Sequence, residues 1–241
     1  MQNAYFMIVE GEYEKASAVL DQVLKNEPDN IIALLRKGIT FTYLDKHKDS
    51  LIYYDKVLKL DPSHEGALNN KDNALTELGK YDEAIKCLDE ALRINPNVAG
   101  AWFNKGNALS ALGKYDEAIS CYDRALDIYP NHAGAWTNKG NVFYNLKQYN
   151  KAIEHYDKAL KINSNLVESW NSKGGALFQL QKYNEAIEQF DRALEIDPNY
   201  SIAWNNKGVA LEKLGMNAQE CFSKAIQLGY RKEQDKSYLL P

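Results

Sequence analysis

The chain has 241 residues, and its 29 Lys and Arg against 33 Asp and Glu leave a formal net charge of −4 at pH 7. It lacks the basic surplus typical of nucleic-acid binders, so no nucleic acid is expected as a partner. Its start, MQNAYFMIVEGEYEKAS, has no basic n-region and only a short apolar run, and nowhere do ~20 apolar residues follow one another as a membrane helix requires. The expectation is a soluble, cytoplasmic protein with no membrane partner.

Residues recur at a fixed step of 34 positions: Trp102, Trp136, Trp170 and Trp204; Tyr81, Tyr115, Tyr149 and Tyr183; Ala84, Ala118, Ala152 and Ala186. Pro28, Pro62, Pro96, Pro130 and Pro198 keep the same step, with Ser164 in the gap. A period of this size is the mark of a stacked repeat array. Repeat boundaries fall at about 1–30, 31–64, 65–98, 99–132, 133–166, 167–200 and 201–230, followed by a tail at 231–241.

The first repeat is incomplete. Gly11, Tyr13, Ala16, Leu20, Val23 and Pro28 match its second half, while residues 1–10, Met1 to Glu10, predict a short, partly exposed helix carrying Tyr5, Phe6, Ile8 and Val9. That end is either cut from a longer array, a natural cap or an interface. The second repeat departs from the pattern at Leu34, His47, Ser50 and Val57, which predicts a looser hairpin. The third has Leu68 for Trp and Asp72 where the others have Gly. An acid at a close helix crossing is costly unless paired or wet, so Asp72 is expected to be partly exposed or to meet a neighbouring Lys.

The fourth repeat, 99–132, is the clearest copy. Trp102, Lys105, Gly106, Leu109 and Leu112 follow the rhythm of an amphipathic helix that Gly113 ends, and Ala118, Ile119, Tyr122, Ala125, Leu126 and Ile128 form the face of a second helix that Pro130 ends. Gly106, Ala118 and Ala125 permit the close crossing of two helices joined by so short a turn. The fifth and sixth repeats are similar. The seventh keeps Trp204, Gly208, Leu211 and Leu214, shortens its turn, and resumes with Ala218, Phe222, Ala225 and Ile226. In the tail, Tyr238, Leu239 and Leu240 either cap the last helix or dock on a neighbour.

This spacing of Trp, Gly, Tyr, Ala, aromatic, Ala and Pro resembles the tetratricopeptide repeat (TPR) over nearly the whole chain. The resemblance implies an all-α, right-handed superhelical solenoid of antiparallel helix pairs whose first helices line a concave groove. It further implies a non-catalytic interaction scaffold that takes an extended peptide or a partner helix there.

Cys87 and Cys121 lie one repeat apart and Cys221 holds the equivalent place in the last repeat; corresponding points on stacked hairpins lie about 8–10 Å apart, beyond disulfide reach. His47, His64, His132 and His155 are dispersed. No metal or other cofactor is expected, and the absence of a nucleophile–base pair or phosphate loop argues against an enzyme.

Two polar series keep the repeat step. Lys37, Lys71, Lys105, Lys139, Lys173 and Lys207 face two readings with Asp21, Asp55, Asp89, Asp123, Asp157 and Asp191: solvated side chains, which is favoured, or a ladder of pairs between helices. Asn70, Asn104, Asn138 and Asn206 lie on the first helices, with Asn73, Asn107 and Asn141 one turn further along. An amide offers a donor and an acceptor, which matches a peptide backbone without reading its sequence. Within the resembling family the first series serves either peptide binding or bracing between repeats. The candidate groove comprises Asn70, Asn73, Asn104, Asn107, Asn138, Asn141 and Asn206, with Tyr144 and Phe178 toward its more apolar end. A carboxylate clamp of the kind found in chaperone-binding members is not expected, because Phe103, Thr137, Gly134, Glu168 and Ser172 stand where its cations would be. The rival functions are a module of a larger enzyme or assembly protein, and self-association through residues 1–10 or the Tyr238 to Leu240 tail.

Overall fold

The structure is a computed structural model and describes residues 2–231. Among these residues there are fourteen helices and no strand. They are α1 (Gln2–Val9), α2 (Tyr13–Asn26), α3 (Ile31–Tyr43), α4 (His47–Leu60), α5 (Glu65–Glu77), α6 (Tyr81–Ile94), α7 (Ala99–Ala111) and α8 (Tyr115–Ile128), then α9 (Ala133–Asn145), α10 (Tyr149–Ile162), α11 (Val167–Gln179), α12 (Tyr183–Ile196), α13 (Ser201–Lys213) and α14 (Gln219–Gln227). They fall into two compact units, Met1–Ile128 and Tyr129–Pro241. Within each unit every helix packs on the next, and first helices also meet one another, α3 on α5 in one unit and α9 on α11 and α11 on α13 in the other. Each unit is thus a stack of antiparallel helix pairs. The tail residues Tyr238, Leu239 and Leu240 lie outside the described residues.

The hairpins close on a contact between a glycine and a ring. A Cβ placed on Gly106 would lie 2.6 Å from Tyr122 Cε1, one on Gly140 the same distance from Tyr156, and one on Gly174 2.5 Å from Phe190. Such separations leave no room for a side chain, which is why these positions repeat so strictly. In the second repeat Gly38 meets Tyr54 in the same way, and Ser50 and Val57 are fully buried. The buried Ser50 hydroxyl is satisfied by donating back to His47 O.

Turns are equally regular. The second residue after each hairpin's first helix takes a left-handed backbone, at Gly11, Gly79, Gly113 and Gly215 but also at Asp45, Lys147 and Gln181. Between repeats, Trp102, Trp136 and Trp204 donate their indole N–H to Pro96, Pro130 and Pro198 O at 2.9 Å. Trp170 does the same to Ser164 O at 2.8 Å, so that serine keeps the turn. His64 and His132, left without a ligand role by the sequence, accept backbone N–H bonds at the starts of α5 and α9, as Asn30 does for α3.

Two sequence expectations change. The Lys and Asp series do pair across successive repeats: Lys37–Asp21, Lys71–Asp55, Lys105–Asp89, Lys173–Asp157 and Lys207–Asp191. The favoured solvated reading fails because the lysines are largely buried between helices while the carboxylates remain exposed. Asp72 is neither exposed nor met by a lysine. It is 1% exposed, and Asn104 of α7 donates to its Oδ2. Its room comes from Leu88, which stands on α6 where Tyr122 and Tyr156 stand in later repeats.

The free thiols of Cys87, Cys121 and Cys221 are pushed up in pKa by burial, which keeps them unreactive. Among the described residues no group of three or more His, Cys, Asp or Glu could hold a metal ion, and no helix is long and apolar enough to cross a membrane.

Candidate functional site

The first helices of each stack form one layer, and the side chains that packing leaves over on that layer make the candidate surface. On α5, Gly66, Asn69 or Asn70, Asn73 and Glu77 follow one another at three or four residues and share a face. Asn69, Asn73 and Glu77 are exposed and Asn70 is half-buried. None of these three amides has a hydrogen-bond partner among the described residues. Beside them on α3 lie Ile32, 57% exposed, and Tyr43, 60% exposed and stacked on Tyr13 with ring centroids 5.0 Å apart.

On α7 the amides are engaged. Asn104 Nδ2 donates to Asp72 Oδ2 at 2.9 Å, and Asn107 Oδ1 accepts from the Tyr122 hydroxyl at 2.8 Å. Asn73, one repeat earlier than Asn107, faces no such hydroxyl because Leu88 replaces the tyrosine.

In the second unit Asn141 Oδ1 accepts from the Tyr156 hydroxyl at 2.8 Å, and Asn138 is half-buried on the same helix. Asn206 is 1% exposed and donates to the equally buried Asn171 Oδ1 at 3.1 Å, bracing α13 against α11. Phe178 lies in the core with Leu177 and Phe190, edge-on to Tyr183. Tyr144 is half-buried, edge-on to Tyr149, and burial raises its phenol pKa. Of the sequence candidates, α5 therefore brings Asn70 and Asn73 together with their amides unspent. Asn206 and Phe178 are committed to the interior.

The sequence matches the tetratricopeptide repeat over residues 9–65, 99–132 and 133–166, and the TPR repeat over residues 73–113 and 174–215. The chain belongs to the tetratricopeptide-repeat family. Among curated proteins none matches it. Several solved structures share the fold of this TPR chain. A tetratricopeptide repeat protein from Parabacteroides merdae has a TM-score of 0.80 at 19% identity, over 96% of this chain and 93% of that one. MamA from Desulfovibrio magneticus has a TM-score of 0.62 at 25% identity, over 71% and 97%. YrrB, described as a TPR protein with an unusual peptide-binding site, has a TM-score of 0.61 at 20% identity, over 78% and 97%.

Asn69 escaped the sequence reading of this TPR chain. It stands where other repeats carry Leu35, Phe103, Thr137, Asn171 and Asn205, so no recurring residue type marked the position. Asn171 escaped as well, because its role exists only through Asn206 on another helix.

Proposed function

We propose that the chain is a non-catalytic, cytoplasmic protein-interaction scaffold that holds an extended peptide along its first-helix layer. The observation that carries this reading is α5, where three amides without intramolecular partners share one face beside exposed Ile32 and Tyr43. Each amide can donate to a peptide C=O and accept from a peptide N–H. Each such bond nets about 0.5–1.5 kcal/mol, so several must act together. Asn104 and Asn107 support that surface by holding the neighbouring helix α7 in place, while Asn138, Asn141, Asn206, Tyr144 and Phe178 belong to the first helices of the second unit.

Capture of partners from lysate tests the reading, comparing wild type with Asn70→Ala/Asn73→Ala and with Lys86→Ala/Arg93→Ala on the exposed side of α6. Partners lost only from the α5 variant place binding on the first helices. Partners lost only from the α6 variant overturn the reading. Self-association is the second reading, favoured by Tyr5, Phe6 and Val9, which α1 leaves 51%, 54% and 66% exposed. Light scattering on wild type and Phe6→Ser/Val9→Ser separates the two.

A further inference from the structure

The third repeat differs from its neighbours in a way that makes a site. In the fourth repeat Phe103 packs near Tyr122, with ring centroids 6.1 Å apart. One repeat earlier the same two places hold Asn69 and Leu88. Both rings are gone, and a cavity of about 280 Å³ remains between α5, α6 and the start of α7. Leu88, Ala91 and Ala101 give it apolar lining, and Gly66, lacking a side chain, leaves it open beside Asn69. Glu65 is the only charged residue among those that line it.

We propose that this cavity is the specificity pocket of the α5 surface, taking one large apolar side chain (Leu, Met or Phe) from an extended peptide with a basic residue next to it. The proposal rests on the reading of the first-helix layer as the peptide-binding surface. Size selects the occupant: the volume falls just below the roughly 300–1,000 Å³ of sites that enclose small molecules, and it suits a single side chain. The apolar lining rewards burial of hydrocarbon. Charge selects the neighbours, since Glu65 stands at the pocket and Glu77 is exposed further along the same face, with no cation on that face between them. An acidic or phosphorylated neighbour would be repelled.

The same replacement supplies the backbone contacts. Asn107 and Asn141 accept bonds from the tyrosines of their own hairpins, but Leu88 has no hydroxyl, so Asn73 keeps its whole amide for a ligand. Leu88 thus opens the pocket and releases the amide beside it. Three amides along α5 would fix the peptide's course while the pocket fixes its register.

Selection from a random heptapeptide library on the intact protein tests this, followed by affinities for the selected peptides. Two variants fill the pocket: Ala91→Leu, and Asp72→Gly/Leu88→Tyr, which restores the regular repeat. Circular dichroism checks that each is folded. The expected peptides carry Leu, Met or Phe beside Lys or Arg, and they bind either filled variant at least tenfold more weakly than wild type. Peptides that bind wild type and filled variants alike, yet are lost from Asn70→Ala/Asn73→Ala, overturn the pocket and leave the scaffold reading standing. Selected peptides that are acidic, or that bind as helices, also overturn the proposal. If no selected peptide depends on Asn70 and Asn73, both readings fall.

Discussion

Asn104 Nδ2 donates to Asp72 Oδ2 at 2.9 Å, and that bond ties the fourth repeat's first helix to a carboxyl buried in the third. Asp72 Oδ1 has no hydrogen-bond partner. Burial pushes the Asp72 carboxyl up to about 6 from 3.8, and the bonds from Asn104 and Thr76 only partly oppose it.

That shift sets the pH dependence. A carboxyl whose folded pKa is raised favours folding below its unfolded pKa and loses that advantage as pH rises through the folded value. Asp72 should therefore weaken the fold progressively from about pH 4 to pH 7. The loss relative to an amide amounts to roughly 3 kcal/mol for a shift of about two units. Urea denaturation of wild type and Asp72→Asn at several pH values checks it. The variant should match wild type near pH 4 and exceed it at pH 7. A difference that does not change with pH would show that Asp72 is ionised at no cost.

Asp72 and Leu88 should also be energetically coupled. A Cβ on Gly106 or Gly140 would come within 2.6 Å of the facing tyrosine ring, so an aspartate at 72 and a tyrosine at 88 exclude each other. Leu88→Tyr alone should cost about 1–3 kcal/mol by overpacking. Joined to Asp72→Gly it should become favourable, with a coupling of about 1–3 kcal/mol in a double-mutant cycle. Additive effects would mean that the two positions do not share the space.

This coupling also explains what could be read in the sequence. Trp, Gly, Tyr and Pro at a constant step were legible because each answers a local demand: an indole bond to the turn, a ring against bare backbone, a helix stop. Asp72 was misread because its compensation, Leu88, lies on the facing helix and looks like an ordinary core residue. The Lys series was read as solvated because each partner belongs to the preceding repeat. The amides were visible as a series, but the roles of Asn73, Asn107 and Asn141 divide according to whether the facing side chain carries a hydroxyl. Asn107 and Asn73 cannot be told apart without reading Tyr122 and Leu88 with them.

The Lys–Asp pairs should contribute unequally. Lys37 is 2% exposed, and its ammonium donates to Ser17 O at 2.8 Å, to Ser17 Oγ at 2.6 Å and to Asp21 Oδ1 at 2.7 Å, so its three N–H groups are all used. Asp21→Ala strands that ammonium among helices and should cost about 2 kcal/mol or more, somewhat below the 3–5 typical of fully buried pairs because Asp21 is exposed. Lys105 is partly open to water, and Asp89→Ala should cost only about 0–1 kcal/mol. Chemical denaturation of the two variants compares them directly. Equal losses would mean that burial of Lys37 carries no weight.

The hairpin turns offer a simple gain in stability. Gln181 has φ 61° and Lys147 φ 58°, at the place where Gly113 has φ 74°. A side chain in this region crowds the following carbonyl and costs roughly 1–2 kcal/mol, whereas glycine avoids the clash at an entropic cost of about 0.5–1. Gln181→Gly should therefore stabilise the second unit by about 0.5–1 kcal/mol, and Gly113→Gln should destabilise the first by a similar amount. Thermal denaturation should move in opposite directions for the two. The turn bonds tell strain from lost structure: Gln181 N donates to Phe178 O at 2.8 Å and Gly113 N to Ser110 O at 3.0 Å, and both should survive either exchange. Protection of these amides from hydrogen exchange should therefore follow the change in stability without disappearing. Destabilisation by Gln181→Gly would mean that the entropy of the freed chain outweighs the relief of strain at this turn.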